Sequence, residues 1–279
     1  MNGFKSFILI VAMTALLVGL GSYLYGDAGV VIALGVGLVL NGVSYFFSDS
    51  IVLAAYRARV VDQAQAPQLY AIVANLSERA GLPMPRIAII PDETPNAFAT
   101  GRNPEHAVVA VTEGIMRVLN RNELEGVIAH ELGHVKNRDI LIGSLASVLA
   151  QAIMFISHMA LWFTPRDEEG RSNPIAGILV YILGPIAAMM LQMALSRSRE
   201  YLADAYAARL TGRPDMLASA LQRIAGYNAE VPMRNAEPAT ANMMIVNPLS
   251  GRGIMGLFST HPPMAKRIEL LNAMPVEAR

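Results

Sequence analysis

Long apolar runs without charged residues alternate with polar segments along this chain. Four runs contain no Asp, Glu, Lys or Arg, and they cover residues 6–26, 28–48, 140–165 and 172–196. About 20 apolar residues in a helix are enough to cross the roughly 30 Å hydrocarbon core of a bilayer. The pattern therefore predicts two membrane hairpins, with about four transmembrane helices in all.

Each hairpin has an alternative interpretation. Residues 6–26 could be a signal peptide, but "GSYLYGDAG" offers no clear small-x-small cleavage site and another apolar run follows at once. The second pair contains His158 and Pro185 and could be a hairpin buried in a soluble core. Its runs, however, are longer than those of an ordinary core helix.

Lys and Arg residues near the ends of the runs indicate the orientation. An N-terminus in the cytoplasm leaves only Arg166 and Arg171 outside. Seven residues are then inside: Lys5, Arg57, Arg59, Lys136, Arg138, Arg197 and Arg199. The positive-inside rule therefore predicts cytoplasmic polar segments. The domains expected are a first hairpin, a first catalytic part, a second hairpin and a second catalytic part, at residues 1–56, 57–139, 140–196 and 197–279.

Local patterns in the polar segments predict mostly helices and one small sheet. Residues 62–83 read as an amphipathic helix, since apolar residues recur at helical spacing. "RIAII" reads as a strand, and residues 97–100 and 107–111 read as a hairpin. Asn122, three residues before Glu125, is expected to cap the helix that carries "HELGH". Further helices are expected in residues 113–120, 196–212, 213–228 and 261–274, and a long loop in residues 229–258.

The composition restricts the chemistry. Only 16% of residues are charged, 53% are hydrophobic and the net charge is zero, so no nucleic-acid partner is expected. The chain has no cysteine, which excludes disulfides and thiolate ligands. Any metal site must therefore use His, Asp or Glu.

The segment "HELGH" carries the strongest chemical signal. His130 and His134 are four residues apart on a predicted helix, so both imidazoles face one point, as a tetrahedral zinc requires. Glu131 is turned about 100° away, where it can reach a water molecule without being a ligand on that face. This division into two ligands and one general base is the metalloprotease interpretation of H-E-x-x-H.

With His106, His158 and His261 the only other imidazoles, the third ligand is sought among acids on another helix, and "RSREYLADAY" offers Glu200. Two predicted crossings separate His134 from Glu200, so the chain returns to the side that it left. Both residues then lie at similar depth beneath the membrane surface. Asp204, one turn after Glu200, is expected to accept a hydrogen bond from a ligand histidine. The alternative for Asp204 is an ordinary ion pair with Arg199 or Arg209.

The motifs "HELGHVKNRD", "SREYLADAYAA", "NAFATG" and "FSTHPPMAKRI", with the membrane hairpins, resemble the HtpX family over essentially the whole chain. HtpX proteins are heat-shock membrane proteases related to the prenyl-protein (CAAX) endopeptidases. The resemblance implies a mostly helical zincin-type domain with a small sheet, joined to membrane helices. It also implies one Zn²⁺ per chain, bound by His130, His134 and Glu200, with Glu131 as the catalytic acid and base.

The resemblance further implies endoproteolytic quality control of misfolded or damaged membrane proteins. The expected partners are these unfolded or membrane-protein substrates and the lipid bilayer, while the oligomeric state stays open. The expected location is the bacterial inner membrane, with several crossings and the active site on the cytoplasmic side.

Other residues allow a functional and a structural interpretation. An edge strand near the metal could pair with an extended substrate through Asn96, Ala97 and Phe98, although Asn96 could simply form a turn. His261 could stabilise the oxyanion or fix the loop before the last helix. His158 is expected to be a buried polar contact rather than a ligand.

Competing functions are a membrane scaffold or chaperone that does not cleave, a transporter, and a processing protease for one narrow class of substrate. An intact Glu131 argues against the scaffold. The transporter is disfavoured because few charges lie inside the apolar runs. The processing protease stays open as the main alternative.

Overall fold

The computed structural model describes residues 2–159, 198–230 and 262–276, together with the isolated residues 178, 181–183, 186 and 245. Its helices are α1 (Asn2–Phe46), α2 (Ser48–Ala55), α3 (Pro67–Ala80), α4 (Glu113–Val118), α5 (Arg121–Lys136), α6 (Ile140–Met159), α7 (Ser198–Thr211), α8 (Pro214–Glu230) and α9 (Met264–Asn272). Its strands are β1 (Arg59–Val61), β2 (Arg86–Ile90), β3 (Ala97–Thr100) and β4 (Val108–Thr112). The described part of the chain is thus mostly helical with a small sheet, as predicted.

Most predicted elements of the polar segments are present. The helices expected in residues 62–83, 196–212 and 213–228 are α3, α7 and α8, and "RIAII" is β2. The predicted hairpin is β3 and β4, joined by the short 3₁₀ helix Pro104–His106. Strand β1 and helix α2 were not predicted, because three residues and eight residues give too little periodicity to recognise.

The cap of α5 was predicted two residues too late. Asn120, not Asn122, precedes the helix, and its side-chain oxygen accepts a hydrogen bond from Glu123 N–H. The Glu123 carboxylate accepts in return from Asn120 N–H, which completes a capping box. The sequence "NRNELE" contains two overlapping Asn-x-x-Glu patterns, and spacing alone cannot choose between them.

The four strands form one mixed sheet in the order β1-β2-β4-β3. Strands β2 and β4 are parallel, and β1 and β3 are antiparallel to their neighbours. Among the described residues, β3 is therefore an edge strand with β4 on its inner side. The parallel pair needs a crossover, and the chain between β2 and β4 supplies it by forming β3 on the way.

Helices cover both faces of the sheet. Side chains alternate along a strand, so Val109 and Val111 face one side while Val108 and Ala110 face the other. The first face belongs to the main core, which is built from α3, α5, α7, α8 and α9. The second face packs on α2. Most of helix α5 thus lies inside the protein, and its polar residues Glu123, His130 and Glu131 are buried.

The N-terminal helix α1 is broken at Gly26, whose φ of 59° lies in the left-handed region. The two halves fold against each other, since Asn41 Nδ2 donates a hydrogen bond to Thr14 Oγ1 over 2.9 Å. Helix α6 packs against α1 and α2. The first apolar pair is therefore a helical hairpin, as its pattern predicts.

The predicted set of four crossings is not confirmed. Among the described residues, the stretch Gly26–Phe46 is long and apolar enough to cross a membrane. The run 6–26 is helical, and the run 140–165 begins as α6, but neither is confirmed as a crossing. The run 172–196 lies almost entirely outside the described residues.

Helix α5 approaches α8 closely at Gly126. A Cβ atom on Gly126 would lie 2.8 Å from Leu217 N and 3.1 Å from Leu217 Cα, so backbone atoms leave no room for a side chain. Gly226, in α8, has no heavy atom within 4 Å of its Cβ position. These two helical glycines form a matched pair for testing the packing.

We expect Gly126→Ala to lower the free energy of unfolding by about 1–3 kcal/mol, because α5 and α8 must separate. Gly226→Ala should leave it unchanged or raise it by up to about 1 kcal/mol, because alanine favours a helix. Chemical unfolding of the purified protein in detergent measures both. Equal stability of the two variants would contradict the close approach of α5 and α8.

Candidate metal centre

Helix α5 brings its two histidines together. His130 and His134 are one turn apart, and their Nε2 atoms lie 3.2 Å from each other. Both rings belong to a helix whose neighbouring residues are almost entirely buried. The two ring nitrogens therefore converge on one point, as the four-residue spacing predicts.

Helix α7 supplies a carboxylate to the same point. Glu200 Oε1 lies 3.5 Å from His134 Nε2, and Glu200 Oε2 lies 3.7 Å from His130 Nε2. Close packing of the two helices makes this possible: a Cβ on Gly133 would lie 3.2 Å from Ala203 Cα. Residues separated by 66 positions in the sequence thus meet, and the three predicted ligands form one group.

The donor set fits a small divalent metal ion. A tetrahedral ion with bonds of about 2.0–2.1 Å requires ligand atoms about 3.3 Å apart. The observed separations between ligand atoms are 3.2, 3.5 and 3.7 Å. Two imidazoles and one carboxylate are also a ligand set known for catalytic zinc sites that keep a fourth position open. The three residues therefore form a candidate metal centre.

The first histidine is held from behind by an Asp–Arg pair. His130 Nδ1 lies 2.9 Å from Asp204 Oδ1, which leaves Nε2 for the metal. Asp204 accepts two hydrogen bonds from Arg267, from Nε over 2.8 Å and from Nη2 over 2.7 Å. Asp204 therefore bonds neither of the arginines considered in the sequence but one from the last helix, α9.

Arg267 is the centre of a wider set of contacts. Its side chain is fully buried, and Nη1 lies 3.3 Å from Glu200 Oε2. Nη1 also donates to the main-chain oxygen of Ile245 over 3.1 Å. Burial lowers the pKa of Arg267, but the charge and hydrogen bonds of Asp204 outweigh it, so the guanidinium stays charged. The Arg267 guanidinium thus contacts the candidate ligand Glu200, the Asp204 carboxylate that holds His130, and the main chain at Ile245.

The second histidine has a similar arrangement. His134 Nδ1 lies 3.5 Å from Asp139 Oδ2, and Asp139 Oδ1 lies 3.9 Å from Arg199 Nη1. Asp139 is buried and directly precedes α6, while Arg199 directly precedes Glu200. Each ligand histidine thus has a carboxylate on its far nitrogen and a guanidinium beyond that carboxylate.

The acidic side chains around the centre outnumber the guanidiniums. Two guanidiniums and four carboxylates surround the two rings, namely Arg199, Arg267, Glu131, Asp139, Glu200 and Asp204. With neutral imidazoles this set carries two excess negative charges. Burying uncompensated charge is costly, so this set favours positive charge at the centre, supplied either by protons or by a divalent cation.

The two imidazoles have opposite tendencies. Burial lowers the pKa of His130, and the nearby Arg267 charge adds to this despite the hydrogen bond to Asp204. Burial also lowers the pKa of His134, but Asp139, Glu200 and Glu131 outweigh it and raise that pKa to about 9. Since a metal binds neutral imidazole, ion binding must release a proton from His134.

Glu131 has the properties of a general base. Burial raises its pKa to about 7, although the charges of His134 and Arg267 and a backbone hydrogen bond from Ala99 act in the opposite direction. A carboxyl group whose pKa lies near neutrality can both accept and return a proton. Glu131 is also buried, so contact with bulk water does not return its pKa to the ordinary value.

Strand β3 presents part of its backbone to this centre. Thr112 N–H donates a hydrogen bond to the main-chain oxygen of Asn96. Because hydrogen-bonded positions alternate along an antiparallel pair, the main-chain groups of Phe98 face β4 and those of Ala97 and Ala99 face outward. The Ala97 oxygen accepts from Ile245 N–H over 2.9 Å. Ala99, which the sequence analysis did not single out, has a backbone hydrogen bond with the Glu131 carboxylate.

The three predicted substrate-binding residues therefore differ in whether they face the outer side of β3. Phe98 is fully buried and packs against Tyr56 with ring centroids 5.5 Å apart, in the core on the other side of the sheet. The side-chain oxygen of Asn96 accepts from Ala97 N–H over 3.0 Å, inside the protein. Of the three residues, Ala97 alone has main-chain groups on the outer side of β3.

Two other predicted residues lie wholly or partly outside the described residues. His261 and the loop 229–258 lie outside the described residues, except for the last turn of α8 and Ile245. The backbone of His158 belongs to α6, but its side chain is outside the description. The expectations for both histidines therefore stay predictions.

Sequence reasoning missed Asp139 and Arg267, although each carries a signal. Arg267 occupies the same helical face as Met264, Ile268 and Leu271, so a charge stands where the period requires a core residue. Asp139 is the last charge before an apolar run and is buried at 5% exposure. A charge on an apolar face is the pattern that could have identified Arg267.

Comparisons with known proteins agree with this chemistry. The profile of peptidase family M48 matches residues 63–274. A protein named "Protease HtpX homolog" from Pyrococcus furiosus is 54% identical over 274 residues, covering 97% of this chain and 95% of that protein. One of the same name from Paraburkholderia phytofirmans is 53% identical, with coverage of 98% and 97%. The crystal structure of S. mikatae Ste24p aligns with a TM-score of 0.51 at 19% identity, over 97% of this chain and 65% of that one.

We expect Arg267→Met to lower the free energy of unfolding by about 3–5 kcal/mol, because it leaves Asp204 and Glu200 buried without their cation. Lys266→Met is the matched control: Lys266 is exposed and pairs only with Glu269 among the described contacts. That variant should change stability by less than about 1 kcal/mol. Chemical unfolding in detergent compares them. An equal loss in both would show that the buried guanidinium has no special role.

Proposed function

This chain belongs to peptidase family M48 and is a metalloprotease, and on that basis we propose that it is a membrane-bound zinc endopeptidase that cleaves misfolded or damaged membrane proteins. The family profile covers residues 63–274, and relatives named proteases are similar over nearly the whole chain. The family resemblance recognised in the sequence is thereby confirmed. Zinc, the membrane and the substrate class are the further steps that the proposal takes.

One observation carries the catalytic part of the proposal: the convergence of His130, His134 and Glu200 with Glu131 beside them. The ligand atoms of the three residues all lie within 4.8 Å of one another. Imidazole and carboxylate ligands in tetrahedral spacing favour zinc, one ion per chain. When bound, zinc supplies Lewis-acid activation of water and of a peptide carbonyl.

The residues of the chain then divide the remaining work. A Glu131 carboxylate oxygen accepts a proton from the attacking water and returns it to the leaving amine. Asp204 keeps the His130 proton on Nδ1, so that Nε2 is the ligand atom. Arg267 keeps Asp204 ionised and holds Glu200 from its Oε2 side. Burial of these groups strengthens each electrostatic contact.

The outer side of β3 supports binding of an extended substrate. Main-chain groups of Ala99 point outward next to Glu131, so a substrate backbone could add to the sheet there. Pairing through the main chain depends little on side chains. Loose sequence preference is what a protease of unfolded chains requires. Asn96 would then shape the start of the strand, while Ala99 would face the substrate.

The N-terminal hairpin supports attachment to a bilayer. Within Gly26–Phe46, apolar side chains such as Val31, Leu38 and Val39 are between 64% and 77% exposed, which is unfavourable in water and favourable in lipid. Arg102 lies over the Phe46 ring, 5.6 Å from its centroid, at the end of this stretch. A cation at that depth suits a membrane boundary. We place the active site on the cytoplasmic side of the inner membrane, following the Lys and Arg distribution.

A narrower processing protease is the second candidate. Ile245 bonds the outer side of β3 at Ala97, so the described chain already occupies one end of this edge. A shortened edge favours short or specific substrates over long unfolded ones. The two candidates differ in substrate range and share the same catalytic residues.

We expect Glu131→Gln to bind metal as the wild type does and to lower the rate of casein cleavage by about 10²–10⁴-fold, because the amide cannot accept the proton. Metal analysis and a cleavage assay on the purified full chain in detergent measure the two properties. Glu200→Gln is the companion variant and should lose metal as well as activity. Full cleavage by Glu131→Gln would overturn the role assigned to this residue.

Substrate range separates quality control from processing. The full chain is reconstituted in vesicles with a membrane protein that carries a destabilising mutation or its native parent, and products are mapped by mass spectrometry. We expect many cleavage sites in the destabilised protein and few in the native one. Cleavage at one defined sequence in both would favour the processing protease, and no cleavage by the metal-loaded chain would favour the scaffold.

A further inference from the structure

The carboxyl end of α5 reverses direction at the second ligand histidine. Arg138 N–H bonds the Val135 oxygen over 3.1 Å, and Asp139 N–H bonds the His134 oxygen over 2.9 Å. These two bonds, with Arg138 at a φ of 57°, define a Schellman motif. In this motif the residue after the reversal lies over the helix residue five positions earlier. Asp139 is therefore brought back onto His134 by the backbone itself.

The side chains of this pair also meet. A Schellman motif commonly has an apolar contact between these two positions. Here the contact is polar, since Asp139 Oδ2 lies 3.5 Å from His134 Nδ1. The opposite ring nitrogen, Nε2, faces His130 Nε2 and Glu200. Asp139 thus holds His134 at two points, the main-chain oxygen and the far nitrogen of the ring.

The reversal is made at a conformational cost. The left-handed position of such a motif is usually glycine, because a Cβ atom disfavours positive φ. The chain has Arg138 there. Backbone strain at a non-glycine residue persists only where surrounding contacts hold it, and such strain is common near functional sites.

A second contact ties the same carboxylate to the other half of the site. Asp139 Oδ1 lies 3.9 Å from Arg199 Nη1, and Arg199 is the residue before the ligand Glu200. Asp139 is buried, with 5% of its surface exposed. Each of its two oxygens is therefore directed at a different half of the metal centre.

We propose that Asp139 is a positioning residue for the metal centre, which keeps the His134 proton on Nδ1 and presents Nε2 to the ion. It does for His134 what Asp204 does for His130. Because Asp139 immediately precedes α6, the start of this apolar helix is part of the metal site. The inference rests on the metal binding in the proposed function and deepens it.

A purely structural role for Asp139 makes a different prediction. Asp139 stands at the N-cap of α6, and its main-chain oxygen accepts from Gly143 N–H over 3.1 Å. Asp, Asn and Ser are about equally good at capping a helix. The Ser side chain, however, ends in a hydroxyl group on Cβ, so it is shorter than Asp and has no carboxylate to reach the ring. Asp139→Ser therefore keeps the cap and removes the contact with His134.

The test compares the full chain in detergent with its variants Asp139→Ser and Asp139→Asn. Asp62→Ser is the matched control. Asp62 is exposed and lies far from Asp139 in the sequence, and its carboxylate accepts a hydrogen bond from Gln65 N–H in a turn. The Zn²⁺ dissociation constant is measured by competition with a chromophoric chelator. The visible absorption spectrum of the Co²⁺ form reports the ligand geometry, and thermal unfolding without added metal reports the cap.

We expect Asp139→Ser to bind Zn²⁺ about 10- to 100-fold more weakly and to have an altered Co²⁺ spectrum, with the unfolding temperature of the wild type. Asp139→Asn, which keeps an acceptor oxygen, should recover part of the affinity. Asp62→Ser should match the wild type in all three measurements.

The outcomes separate the inference from the function on which it rests. If the wild type itself binds no Zn²⁺, the proposed function fails. If the wild type binds and Asp139→Ser binds equally well, the positioning role is overturned. If Asp139→Ser unfolds at a lower temperature, the Zn²⁺ affinity of Asp139→Asn decides: recovery of affinity relative to Asp139→Ser supports the role, and no recovery overturns it.

Discussion

The buried ion pair between Arg267 and Asp204 is the interaction on which the rest of this site depends. It joins α9, at the end of the chain, to α7, and through Asp204 it reaches His130 on α5. A guanidinium removed from water is tolerated only with several acceptors around it, and here two carboxylates and a main-chain oxygen provide them. Three helices far apart in sequence are thus fixed to one another by a charge that none of them could bury alone.

The metal centre has a regular internal organisation. Each imidazole is backed by an aspartate, and each aspartate by an arginine, so the pattern His–Asp–Arg occurs twice around one point. Both sets use α5 and α7, the first also uses α9, and the apolar helix α6 begins at the second. The catalytic part and the apolar helices are therefore not independent modules, because α5 ends and α6 begins within the site itself.

Sequence reasoning predicted the elements and the residues whose chemistry follows from spacing. The convergence of His130 and His134 could be predicted because one helical turn fixes which side chains share a face, and the same spacing placed Asp204 beside Glu200. Glu200 itself was predicted from its expected depth beneath the membrane. The cap at Asn120 was missed because two Asn-x-x-Glu patterns overlap, and β1 was missed because three residues have no period. Arg267 and Asp139 were missed for a different reason: their partners are defined by tertiary packing, and a buried charge looks like a surface charge until its neighbours are known. Phe98 was expected near substrate, but strand pairing turns it into the core.

Two glycines on one stripe of α5, seven residues apart, have a consequence for the choice of ion. At Gly126 the backbone of α8 rests directly on α5, and at Gly133 the Ala203 backbone of α7 lies nearly as close, beside the Ala203 Cβ and the Tyr206 ring. Contacts between backbones cannot relax by rotamer changes, as contacts between long side chains do. The separation of the helices, and with it the span between the imidazoles and the carboxylate, is therefore stiff. A stiff site would discriminate by ionic radius, so it would disfavour larger cations such as calcium by size as well as by their preference for oxygen.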